Sequence, residues 1–229
     1  MIAARTVHDA GPEAAPAICH QALGDLLTAY ERLLRETRRL VRRSDRAEFE
    51  MSQMNQRLQD LAAELEYRAT HDPLTGVLNR AAIIERVNLS FATSEVALIV
   101  LDIDYFKRVN DNFGHPVGDR VILGVVACLK KVVPAAHIGR VGGEEFTILL
   151  REHEDNAERI AEAARSEIAA YAFDLPDNSA ITASFGVSCL PRGSTFDIAY
   201  GLADEALYAA KRGGRNRVVR VTHPASAEI

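Results

Sequence analysis

The stretch His137-Ile138-Gly139-Arg140-Val141-Gly142-Gly143-Glu144-Glu145-Phe146-Thr147-Ile148-Leu149-Leu150 sets two short apolar runs on either side of a Gly-Gly turn. Such a pattern reads as a β-hairpin. Before it, Glu95 to Leu101 reads as a buried strand and Gly118 to Val132 as a helix. After it come an amphipathic helix over Asp155 to Tyr171, a strand over Ile181 to Leu190, a helix over Thr195 to Lys211 and a short strand over Arg217 to Val221. A further helix, Asn79 to Ser90, opens the region. The order strand, helix, hairpin, helix, strand predicts an α+β fold: a mainly antiparallel central sheet with helices on one face, a split βαβ-type sandwich.

Upstream the period changes. Leu23, Leu26, Tyr30, Leu33, Thr37, Leu40, Ser44, Ala47, Met51, Met54, Leu58, Leu61 and Leu65 recur at spacings alternating between three and four, with mostly charged residues between them and no Gly or Pro from Asp25 to His71 apart from the break that Pro73 supplies just beyond. This is a heptad seam on one long helix, and a stripe that narrow is buried by a second copy, so a parallel dimeric coiled coil is expected. Thr37 and Ser44 weaken the seam locally and help set its register. His71-Asp72-Pro73 ends the helix, because a residue before proline is pushed out of the helical region. The expected organisation is a flexible leader over 1–16, a coiled-coil dimerisation helix over 17–69, a catalytic domain over 70–221 and a tail over 222–229.

Composition narrows the function. The net charge of −5 over 229 residues argues against a nucleic-acid partner, since duplex binding rests on Lys and Arg neutralising phosphates. Cys19, Cys128 and Cys189 are three and widely spaced, which suggests neither a disulfide framework nor a zinc site. The longest apolar runs fall far short of the roughly 20 residues that a membrane helix needs. The expectation is a soluble, cytoplasmic protein.

Two acidic groups stand at turns that such a fold can bring together: Asp102 with Asp104 after the first strand, and Glu144 with Glu145 in the hairpin turn. Carboxylates at strand ends suit magnesium, and two such ions can clamp the attacking and leaving oxygens of a phosphoryl transfer. Solvated turn residues would look the same. Gly142-Gly143 lets backbone approach a phosphate closely, yet a hairpin turn needs glycines in any case. Lys107, Lys211 and Arg215 are the nearby cations, and a triphosphate needs such partners. Asn110 and Asp119 can read a guanine edge or can simply cap helices.

Taken together, Asp102-Ile103-Asp104-Tyr105-Phe106-Lys107-Arg108-Val109-Asn110-Asp111, Phe113-Gly114-His115, Gly118-Asp119 and Arg140-Val141-Gly142-Gly143-Glu144-Glu145-Phe146 resemble a GGDEF domain in its GGEEF form. The entry run Asp72-Pro73-Leu74-Thr75-Gly76 and the exit run Ala206-Leu207-Tyr208-Ala209-Ala210-Lys211 with Gly214-Arg215-Asn216 resemble the same family. The likeness covers about Thr70 to Arg220 and implies a diguanylate cyclase with a palm-like α/β sandwich. It further implies that Asp102, Glu144, Glu145 and the Ile103 carbonyl bind magnesium or manganese, two ions per site. Glu144 would be the catalytic base, assisted by Glu145. Tyr105, Phe106, Lys107, His115, Gly142, Gly143, Lys211 and Arg215 would hold GTP, while Asn110 and Asp119 recognise guanine.

The resemblance also implies that two GTP-loaded domains must face each other as a homodimer, which gives the coiled coil a purpose. The seam from Leu23 to Leu40 is where a regulatory protein is expected to grip. Many members carry an inhibitory product site, Arg-x-x-Asp, nine residues before the first signature glycine; here Val133 and Ala136 stand in those places. The competing reading is a catalytically inactive module of the same family that binds a nucleotide or a partner. No signature residue is altered in the way that reading calls for.

Overall fold

A computed structural model describes residues 16–151 and 154–221, so the leader, apart from Pro16, and the tail lie outside the described residues. Contacts divide the chain into a unit ending at Glu64 and a unit beginning at Leu65. The described residues of the first, from Pro16, are helical throughout as part of α1 (Pro16–Thr70), about 80 Å of helix at 1.5 Å per residue. Its seam is open in the single chain: Leu33, Leu40, Met51 and Leu65 are each more than 60% exposed. Pairs such as Arg32 with Glu36 and Arg46 with Glu50, four residues apart, lace its polar face.

The second unit is built on β1 (Val96–Ile103), whose eight residues are all buried. A strand without a polar face must be covered on both sides. Ala97, Ile99, Leu101 and Ile103 pack into one core with α4 (His115–Val132) and α5 (Glu154–Ala170). Val96, Leu98 and Val100 pack into a second core with α2 (Arg80–Phe91) and α6 (Phe196–Arg212). The expectation of helices on one face is therefore corrected: the sheet carries them on both. Alternation along β1 is uniformly apolar, so the sequence reports burial without saying that two faces share it.

The sheet runs in the order β2-β3-β1-β4-β5, with β2 (His137–Arg140), β3 (Glu145–Leu150), β4 (Ala183–Leu190) and β5 (Val218–Arg220). All neighbours are antiparallel except β4 and β5, which the α6 crossover leaves parallel. The crossover sits tight, for a Cβ at Gly186 would collide with the Ala203 carbonyl oxygen. The junction with α1 is fastened by Asn79. Its Nδ2 donates to the Ala69 carbonyl at 2.7 Å and its Oδ1 accepts from the Ala82 amide at 3.0 Å, capping α2.

Two further boundaries differ from the sequence reading. A short helix, α3 (Phe106–Phe113), occupies what reads as a turn, and α4 starts at His115 rather than Gly118. One residue, Gly114, separates the two helices at φ 79°, where glycine alone sits without strain.

Candidate active site

The site lies where β1 ends, beside the β2–β3 turn, the start of α3 and the end of α6. Register assembles it: Asp102 pairs with Glu145 across β3 and with Ser184 across β4. Glu144 is one residue further into the turn, and its carbonyl accepts from the Ile103 amide at 3.3 Å. Asp102 is 6% exposed, and Lys211 at the end of α6 places Nζ 2.9 Å from its Oδ2. Burial pushes the Asp102 carboxyl above its ordinary range, against the pull of Lys211. Burial likewise raises Glu144, and the neighbouring Asp102 charge adds to it. A half-buried carboxylate whose ionisation is disfavoured by a second one beside it makes a place for a cation.

Whether the donors present fit a metal follows from that pair. Among the described residues no group of three or more His, Cys, Asp or Glu side chains is arranged to hold an ion alone. Two carboxylates are nevertheless what magnesium takes from protein when substrate phosphates and water complete its shell. The donor set fits a divalent ion that arrives with a nucleotide.

Asp104, grouped with Asp102 in the sequence, has another job. It is 4% exposed and accepts from Thr182 Oγ1 and Ser184 Oγ, both at 2.7 Å, so its oxygens are occupied by the protein itself. The remaining expected residues fall as follows. Arg215 lays its guanidinium 4.4 Å from the Tyr105 ring centroid and donates to the Tyr105 hydroxyl at 3.2 Å. Phe106 is buried in the core, which leaves only its backbone for a ligand. Asn110 buries Oδ1 without a hydrogen-bond partner, close against Gly118, where any Cβ would collide with it. Lys107, His115 and Asp119 are exposed on α3 and α4. A Cβ at Gly143 would meet no atom within 4 Å, so packing does not demand glycine there and the turn keeps open space above it.

The sequence reading passed over one pair. Arg140 donates through Nε and Nη2 to the Gly143 carbonyl, at 3.2 and 2.6 Å, and through Nη1 to both Asp72 oxygens, at 3.1 and 3.3 Å. Asp72 also accepts from the Thr75 amide and hydroxyl. Although burial opposes it, these bonds from Thr75 and Arg140 hold the Asp72 carboxyl below its usual range. The pair ties the loop after α1 to the turn that carries Glu144. Its signal was present in Asp72 and Arg140 as members of the entry and signature runs.

The domain is thus a two-faced α/β sandwich whose central strand ends in paired carboxylates flanked by cations. A family model described as "Diguanylate cyclase, GGDEF domain" matches residues 69–217, and the chain belongs to that family. It is similar to "Diguanylate cyclase DgcP" of Pseudomonas aeruginosa, 41% identical over 159 residues that make up 66% of this chain and 24% of the relative. The chain thus spans about a quarter of that protein's length. Among solved structures it resembles the coiled coil and GGDEF domain of DgcB from Caulobacter crescentus in complex with c-di-GMP, with TM-score 0.71 and 32% identity over 75% of this chain and 96% of the other. It also resembles the diguanylate cyclase SiaD of Pseudomonas aeruginosa in complex with its activator SiaC, with TM-score 0.64 and 32% identity over 90% of this chain and 79% of the other.

Proposed function

We propose that this chain is a diguanylate cyclase that condenses two GTP molecules into cyclic di-GMP and two pyrophosphates. The observation that carries the reading is the buried Asp102 beside Glu144 at the end of β1, two carboxylates raised by burial, with Lys211 against them. In each of two equivalent steps the 3′-hydroxyl oxygen of one GTP bonds to the α-phosphorus of the other, and the bond to the β-phosphate oxygen breaks. Pyrophosphate leaves with the electron pair. Glu144, whose carboxyl is held above its usual range, takes the hydroxyl proton, with Glu145 beside it. Asp102, Glu144 and the Ile103 carbonyl would hold magnesium or manganese, which when bound supplies charge stabilisation at the reacting phosphate.

The cations have their own part. Lys211, paired with Asp102, and Arg215, stacked on the Tyr105 ring, are the cations that would hold the phosphates. Asn110 and Asp119 read guanine; the unpartnered Oδ1 of Asn110 supports this, because a guanine N–H would satisfy it. The turn at Tyr105, Phe106 and Lys107, with Gly142 and Gly143, gives the triphosphate backbone room, and the exposed His115 at the start of α4 would be a further GTP contact.

One domain holds one GTP, so the active form is a homodimer with facing sites, joined through the seam of α1. The exposed leucines of that seam support this, as does the likeness to a solved coiled coil with its GGDEF domain. Regulation acts through a protein that binds α1 around Leu23 to Leu40, a reading supported by the likeness to a cyclase solved with its activator. With Val133 and Ala136 in place of Arg and Asp, tight product inhibition at that position is absent. The test is to incubate the purified full chain with GTP and magnesium and to identify products by chromatography and mass spectrometry. Cyclic di-GMP is expected, and none from Glu144→Ala. No product even from a chain forced to dimerise by a fused zipper would refute the cyclase.

A further inference from the structure

The buried carboxylate of Asp104 belongs to no metal site and to no ion pair among the described residues, yet it collects donors from two different parts of the chain. Ser184 Oγ donates to Oδ1 at 2.7 Å; Thr182 Oγ1 donates to Oδ2 at 2.7 Å, and so does the Asn216 amide at 3.0 Å. The first two come from the approach to β4 and its second residue. The third comes from the turn between α6 and β5, which also contains Arg215.

That turn has an uncommon backbone. Arg215 and Asn216 are consecutive non-glycine residues at φ 65° and 45°, following Gly214 at φ 114°. L-residues avoid this region, so two in a row persist only where their surroundings fix them. Four hydrogen bonds tie it. The Arg215 amide donates to the Ala210 carbonyl at 3.0 Å, Arg217 Nε donates to the Arg215 carbonyl at 3.1 Å, Arg165 Nη1 donates to Asn216 Oδ1 at 2.8 Å, and the Asn216 amide is held by Asp104, the one tie that comes from beneath the site. Arg215 then stacks on Tyr105, the residue next to Asp104, which is itself left-handed at φ 58°. Asp104 therefore stands beneath both halves of the Arg215–Tyr105 stack.

We propose that Asp104 is a positioning residue for triphosphate binding: through the Asn216 amide it sets the turn that aims Arg215 at the nucleotide's terminal phosphates. The proposal rests on the reading of Arg215 as a phosphate ligand given above. A carboxylate accepts from all three neighbours at once: two hydroxyls and the Asn216 amide. The same-sized amide of Asp104→Asn keeps one acceptor oxygen, and its N–H2 makes a hydroxyl turn round to accept.

The test measures binding of GTP and of GMP to the full chain by competition against a fluorescent GTP analogue, together with KM and kcat. Asp104→Asn is expected to weaken GTP about tenfold, to leave GMP unchanged, since GMP lacks the phosphates concerned, and to move kcat less than about threefold. Arg215→Ala should weaken GTP at least as much. The double variant should be no worse than Arg215→Ala alone, because both changes remove one interaction. Ser184→Ala, which strips a single donor from the same carboxylate, should weaken GTP about threefold and stands in if Asp104→Asn does not fold.

Unchanged GTP binding in both Asp104→Asn and Ser184→Ala, equal weakening of GMP, or fully additive effects in the double variant would each overturn the proposal while leaving Arg215 its role. Unchanged GTP binding in Arg215→Ala would overturn the phosphate reading and the proposal with it.

Discussion

Replacing Arg140 with alanine removes four close contacts at once: two to the Gly143 carbonyl and two to the carboxylate of Asp72. Both side chains are more than four-fifths buried, with 15% and 17% exposure, so water replaces little of what is lost. Hydrogen bonds to charged groups contribute about 1.5–3 kcal/mol, and a carboxylate left with only Thr75 adds a desolvation cost, which together give about 2–4 kcal/mol. For a domain of this size each kcal/mol shifts the melting temperature by about 2–4 °C, so Arg140→Ala should melt about 4–16 °C lower by calorimetry at pH 7. Arg140→Lys keeps the charge but cannot reach Gly143 and Asp72 together, and should recover less than half of the loss. The penalty depends on pH with a defined sign. Asp72 is held below its unfolded value, so its contribution is complete above that value, near 3.8, and fades as pH falls through the lower folded one. A melting shift under about 2 °C for Arg140→Ala would refute the reasoning, since the pair would then be no more than a solvated surface bridge.

Two other perturbations follow from the same geometry. Gly186→Ala forces a methyl against the Ala203 carbonyl and the Leu207 amide, both backbone atoms of α6, and should destabilise by at least about 3 kcal/mol, visible as a collapse of soluble, cooperatively melting protein. Glu144→Gln should do the opposite in EDTA at pH 7. Glu144 is raised above its unfolded value, so its ionised form costs stability at neutral pH and that cost disappears as pH falls below the raised value. The variant should unfold at a higher urea concentration while losing the proposed cyclase activity, whereas a less stable Glu144→Gln would contradict the electrostatic strain inferred at the site.

Long-range order was legible in the sequence where periodicity was strong. The seam of α1, the hairpin around Gly142-Gly143 and the antiparallel character of the sheet are all written in spacing. What stayed hidden was hidden for physical reasons. The eight residues of α3 hold only Phe106, Val109 and Phe113 as an apolar face, too short a window to separate a helix from a turn, and the double cover of β1 leaves no alternation to read. At the site, Asp102, Glu144, Lys211 and Arg215 could be nominated because acids and cations at turns suit phosphate chemistry. Asp104 could not be told from Asp102, since two aspartates separated by one residue look alike until Thr182, Ser184 and Asn216 fold around one of them. Nor does any local pattern join Asp72 to Arg140, which are 68 residues apart in the chain.

The pairing of Asp102 with Glu145 has a further consequence for how faulty copies of the protein behave. Phe146, the next residue on β3, is fully buried, and β3 continues apolar through Leu150. A slip of one position would take Phe146 out of the core it shares with α4 and α5 and drive the Glu145 carboxylate into that core instead. The hydrophobic layer thus acts as a gauge that accepts one alignment of the chemistry. A chain paired out of register would separate Asp102 from the turn that carries Glu144, and so would lack the carboxylate pair altogether rather than hold it slightly askew.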